Sequence, residues 1–106
     1  MRICKGDIMN LKPDIKAKIT LTGQDWVCSG YRPAHLVGNY LTSGAHQYFN
    51  RDELKLNETV EGTITFISPE IYPQSLKVGM KISFQEGSRI MGYAEVLEIY
   101  NDILKT

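Results

Sequence analysis

The sequence predicts an all-β fold, a small closed antiparallel β-barrel of about six strands. Three observations lead there. The stretch Ile15-Lys-Ala-Lys-Ile-Thr-Leu-Thr22 alternates apolar and polar residues without a break, the pattern of a strand with one buried and one wet face. Helical periodicity is nearly absent from the 106 residues. Gly, Pro, Asn and Asp recur between the apolar segments, as turn chemistry between short strands requires.

The elements follow in order. Residues 1–11 read as an N-terminal extension or leading strand of a single barrel domain spanning 1–106. Lys12-Pro13-Asp14 is a turn-like lead-in, because Pro13 has no N–H to give to a ladder. Ile15, Ala17, Ile19 and Leu21 form the inward face of the first strand, with Lys16, Lys18, Thr20 and Thr22 outward. Residues 22–33, TGQDWVCSGYRP, are dense in turn formers and read as a connection. AHLVGNYLTSGAHQYF supplies one or two strands, with Gly38 and Gly44 at bulges or bends. NRDELKLNE reads as a polar loop with room for a short helical turn. TVEGTITFIS is β-branched and Thr-rich, hence a strand. PEIYPQSLKVG is a Pro-punctuated loop with apolar anchors. The chain closes on a hairpin in which Met80, Ile82 and Phe84 face Ile90, Gly92, Ala94 and Val96. Closing such strands into a barrel removes exposed sheet edges.

Composition narrows the function. Twelve basic and twelve acidic side chains cancel, whereas an autonomous nucleic-acid binder normally carries a basic excess to neutralise phosphates. No apolar run has the length of a signal peptide core or of a membrane span, so cytoplasm is the expected compartment. Cys4 and Cys28 are then expected as reduced thiols.

Catalytic chemistry finds little support. No Gly-rich phosphate loop is present, so no nucleotide is expected. Cys28, His35 and His46 are irregularly spaced and no CxxC or HxxxH occurs, so no metal is expected. Both histidines are expected on the barrel surface or rim. Cys28 lacks any signature of a nucleophile, and Asp52, Glu53, Glu95 and Glu98 read as solvated charge. The expectation is a non-enzyme without a cofactor.

Two constellations stand out. Ser29-Gly-Tyr-Arg-Pro-Ala-His35 puts a ring, a guanidinium and a rigid Pro on consecutive positions. Arg32 suits bidentate pairing with phosphate or carboxylate, and Tyr31 suits packing beside it. The same residues also serve as a strand start in which Tyr31 covers the barrel mouth. In the second, Gly87 provides the positive backbone angle of a tight hairpin, Glu86 and Arg89 flank it as a cross-ladder pair, and Gly92 leaves room inside. Gly87 and Gly92 read as structural.

Together these pieces resemble the C-terminal, third β-barrel domain of elongation factor Tu, from about Lys12 to Asn101. Lys12-Pro13 followed by Ile15–Thr22 is similar to the family's Lys-Pro and first strand. Gly30-Tyr31-Arg32-Pro33 matches its Gly-Tyr-Arg-Pro-Gln stretch, with Ala34 in place of Gln. Phe66-Ile67-Ser68-Pro69 echoes a later strand ending in a His-Pro pair. Ile82 to Val96 is similar to its closing Arg-Phe-x-x-Arg-Glu-Gly-Gly-Arg-Thr-Val-Gly-x-Gly-x-Val. The departures are the missing GTPase domain and second barrel, a shortened loop at Gly23–Cys28, Gln85 for a basic residue, and Ser88 for the second Gly.

The resemblance implies contacts to the T-stem side of aminoacyl-tRNA, to a GTPase domain and to a nucleotide exchange factor. It matches Arg32 to the family's Arg on the tRNA-facing side, and with the two constellations the candidate partner or tRNA contacts are Tyr31, Arg32, Pro33, His35, Glu86, Ser88 and Arg89. The expected function is a non-catalytic binding module that engages a protein partner, with translation as the implied setting. The alternative is an accessory tRNA-binding barrel using Arg32, Arg89, Lys16 and Lys18. With the charges balanced and two of three contact domains missing, that tRNA binding is expected to be weak at physiological salt.

Overall fold

The computed structural model describes residues 12–106, so the expected leading segment 1–11 lies outside the described residues. The strands are β1 (Ile15–Leu21), β2 (Trp26–Cys28), β3 (Ala34–Val37), β4 (Tyr40–Tyr48), β5 (Glu53–Lys55), β6 (Thr59–Phe66), β7 (Lys81–Glu86) and β8 (Arg89–Ile99). Six of them close an antiparallel barrel in the order β1–β6–β4–β3–β7–β8, with β8 returning to β1. The all-β barrel read from the sequence is the fold. Two single-turn 3-10 helices, Pro69–Ile71 and Asp102–Leu104, complete the described elements. No helix among the described residues is long and apolar enough to cross a membrane.

Alternation in β1 becomes burial directly. Ile15, Ala17, Ile19 and Leu21 are fully enclosed. On the wet face Lys16 Nζ lies 3.7 Å from Glu61 and 3.6 Å from Glu98 on the flanking strands. Lys18 stands opposite Glu61 on one side and Glu95 on the other. Both outward lysines thus sit among acids, an arrangement that favours cross-strand pairing over a basic face.

Three expectations are corrected. Residues 22–33 and 50–58 are more than loops: β2 and β5 pair there as a two-stranded ribbon, Val27 opposite Leu54. Each strand is three residues long and buries one apolar side chain, too short for alternation to register. Ile90 does not face the interior. The ladder between β7 and β8 shifts at Phe84/Gln85, and that bulge turns Met91 inward while leaving Ile90 40% exposed. Cys28 is disulfide-bonded, not a reduced thiol. Structural disulfides persist in oxidising surroundings, so the expectation of reduced thiols in a reducing compartment is overturned at Cys28; Cys4 lies outside the described residues.

The Pro-punctuated loop at 69–79 carries its expected anchors. Tyr72 and Leu76 are buried, and the Tyr72 hydroxyl lies 2.8 Å from Thr42 Oγ1. Leu76 N donates to the Leu104 carbonyl at 2.9 Å and the Leu76 carbonyl accepts from Thr106 N at 3.0 Å, which ties this loop to the C-terminal turn. Asp14 fastens the seam where the ends meet. Its Oδ2 accepts from Phe66 N at 2.7 Å, and its Oδ1 accepts from Asn101 Nδ2 at 2.8 Å.

Candidate functional site

Residues 30–33 continue the line of β3 alongside β4. His46 N donates to the Tyr31 carbonyl at 2.8 Å, and Gly44 N donates to the Pro33 carbonyl at 3.1 Å. Strand-like alternation then decides which side chains point where. Tyr31, Pro33, His35 and Val37 turn inward, while Arg32, Ala34 and Leu36 turn outward. A half-buried Tyr31 ring meets His46 edge-on at 5.6 Å and Phe84 at 6.1 Å. Its hydroxyl emerges at the barrel end and donates to Glu86 Oε2 at 2.6 Å. Burial, and then this bond to Glu86, push the phenol's pKa up.

That single bond joins two segments 55 residues apart, the Gly30–Pro33 stretch and the tip of the β7–β8 hairpin. At the tip Gly87 has φ of 58°, and the turn requires this positive angle at its first central position. Glu86 and Arg89 face each other across the ladder, yet their side chains part. Glu86 takes the Tyr31 hydroxyl, and Arg89 donates to the Gly23 carbonyl. Ser88 is exposed beside them. Arg32 is exposed and makes no hydrogen bond or ion pair with any described residue.

Two expected contact residues are not available to a partner. His35 is fully buried, and so is His46, which corrects the expectation that both histidines lie on the surface or rim. Their Nε2 atoms are 2.8 Å apart, and His46 Nδ1 is 3.2 Å from the Tyr48 hydroxyl. Room for the His35 ring comes from Gly44, where a Cβ would sit 2.9 Å from His35 Cε1. Phe66 and Phe84 pack edge-on and tilted against the same ring. Pro33 is also buried; it shapes the backbone rather than the surface.

Burial lowers the His35 pKa to about 4, with the backbone of Thr42 and Pro33 partly offsetting it. His35 Nδ1 nevertheless makes no hydrogen bond of proper geometry. Burial, and then the neighbouring His35, hold His46 well below the ordinary imidazole range. Two neutral rings sharing one proton across Nε2–Nε2 satisfy each other and fill the barrel as aromatic bulk. Sequence spacing did not show this pair. The available signal was the period of two in Thr42-Ser-Gly-Ala-His-Gln-Tyr48, which sets Thr42, Gly44, His46 and Tyr48 on one face. Reading polar residues as outward hid it.

Among the described residues no three His, Cys, Asp or Glu side chains cluster closely enough to hold a metal ion. Gly92 lets two elements touch, since a Cβ there would lie 2.1 Å from the Thr20 carbonyl oxygen and 2.5 Å from Phe84 Cζ. Among the surface hollows are a groove of about 200 Å³ beside Arg32, between Ser43–Ala45 and Thr65–Ile67, and a more open one of about 490 Å³ along Gln24–Tyr31. No protein-family model matches the chain, and no curated protein matches it.

Proposed function

We propose that the chain is a non-catalytic binding module that meets a protein partner through the outside of its barrel. The observation that carries this reading is the Tyr31–Glu86 bond. It gathers Arg32 and the Glu86–Arg89 tip at one barrel end, while the titratable groups of the interior are sealed behind aromatic rings. Exposed Arg and Tyr are favoured interface anchors, and Arg32 has no acceptor among the described residues to compete with a partner. The resemblance to the third domain of elongation factor Tu supports the same reading and suggests translation as its setting.

The tRNA alternative has weaker support. Lys16 is neutralised by Glu61 and Glu98, Lys18 stands between acids, and Arg89 is turned onto the Gly23 carbonyl. A phosphate-binding surface needs such cations free. The test is binding to bulk tRNA over a salt series beside binding to a protein isolated on the immobilised chain. The proposal expects Arg32→Ala to weaken the protein complex by about 1–3 kcal/mol and tRNA to be bound poorly at every salt concentration. A steep loss of tRNA affinity with rising salt, together with no Arg32-dependent protein complex, contradicts it.

A further inference from the structure

The outer face of β3, β4 and β6 is graded from apolar to cationic. At one end Leu36 and Leu41 stand directly opposite each other, 43% and 56% exposed. The next row holds Ala34 opposite Ser43, flanked by Ile67, whose amide donates to the Ser43 carbonyl. Ile67 is 75% exposed, the highest value among the large apolar side chains described. The third row holds Ala45 opposite Thr65 with Arg32 alongside, at the rim of the groove of about 200 Å³. Outward side chains two apart along a strand are separated by about 7 Å, so the guanidinium row lies roughly 13 Å from the leucine row.

From this grading we infer that the face docks an extended segment of a partner protein carrying apolar side chains and a carboxylate two to four residues away. The inference rests on the reading of the chain as a protein-binding module and names the chemistry of that partner. The apolar side chains cover Leu36, Leu41 and Ile67, and the carboxylate pairs with Arg32. Charge complementarity selects the anion, because Arg32 is an exposed cation with no acceptor among the described residues. The apolar rows select a peptide carboxylate over a nucleic-acid phosphate. A phosphodiester backbone offers nothing to bury against Leu36, Leu41 and Ile67, while a strand with alternating side chains matches their spacing.

The test is selection of a random displayed-peptide library on the 106-residue chain, followed by affinity measurement for the enriched synthetic peptides. The expected peptides carry Asp, Glu or a free C-terminus two to four residues from Leu, Ile, Val or Phe. Arg32→Ala, Ile67→Asp and amidation of the peptide acid each weaken binding about tenfold or more, the scale of a lost interface anchor. Both substituted positions are exposed, and thermal melts of the variants verify that the fold is retained. Enriched peptides that lose binding in Arg89→Ala but not in Ile67→Asp overturn this inference and leave the binding-module reading standing. Failure to enrich any peptide, or binding of oligouridylate that depends on Arg32, overturns both. A wild-type dimer in sedimentation that Ile67→Asp converts to monomer assigns the face to self-association and also overturns the inference.

Discussion

His35 and His46 meet Nε2 to Nε2 at 2.8 Å inside a closed barrel, each fully shielded from water. One nitrogen must carry the proton and the other must accept it, so the contact requires that at least one ring be neutral. Adding a second proton puts two N–H groups face to face and leaves a charge among aromatic rings.

Stability therefore falls on acidification. For both groups the folded-state pKa lies below the unfolded value, so the unfolded chain binds more protons in the interval between them. The contribution is complete above pH 6.5 and is lost as pH falls through His35's folded value of about 4. For His35 alone this amounts to something on the order of 3 kcal/mol. Urea unfolding at pH 7.5 and pH 4.5 measures it. A His35→Phe/His46→Phe variant is expected to lose much of the difference, leaving the part due to carboxylates. A pH dependence equal in the two proteins contradicts the neutral-pair assignment.

Gly92 and Gly87 are both glycines of the final hairpin, but substitution is expected to separate them. Ala at 92 drives a methyl into the Thr20 carbonyl and the Phe84 ring. Backbone cannot yield cheaply there, and the expected loss is about 3 kcal/mol or more. Ala at 87 meets no atom within 4 Å and bears only the left-handed backbone angle of 58°, a cost of about 1–2 kcal/mol. Thermal melts of the two variants check the order; equal losses contradict the close approach at Gly92.

Buried Asp14 fastens the barrel seam through polar bonds. Asp14→Ala leaves the Phe66 amide and the Asn101 side chain without their acceptor, with an expected cost of about 1–3 kcal/mol. Amide exchange localises the effect: the Phe66 amide is expected to lose protection before amides at the centre of β1. Uniform loss of protection along the barrel argues against a local seam.

The barrel was legible because β1, β6 and the β7–β8 hairpin are long enough for alternation to show and are separated by turn residues with a physical reason to be there. Gly87 announced its turn. The β2–β5 ribbon was hidden because three-residue strands carry one buried side chain each. The Ile90 placement failed at a bulge, where one extra residue exchanges inside for outside. Interior histidines are not legible from polarity, because a neutral imidazole packs as an aromatic ring once a glycine such as Gly44 makes space. At the candidate site, Tyr31, Arg32, Glu86, Ser88 and Arg89 were named from the sequence. Their meeting through the Tyr31–Glu86 bond was not, since 55 residues separate the two partners.

Under the proposed function the outside of the barrel recognises a partner while the interior only stabilises it. The most direct measurement pairs partner affinity at pH 7.5 with melting temperature for Arg32→Ala and His46→Phe. Arg32→Ala is predicted to weaken binding about tenfold with an unchanged melt. His46→Phe is predicted to keep full affinity while altering stability and its dependence on acid. Full affinity in Arg32→Ala combined with lost affinity in a folded His46→Phe variant would contradict the account.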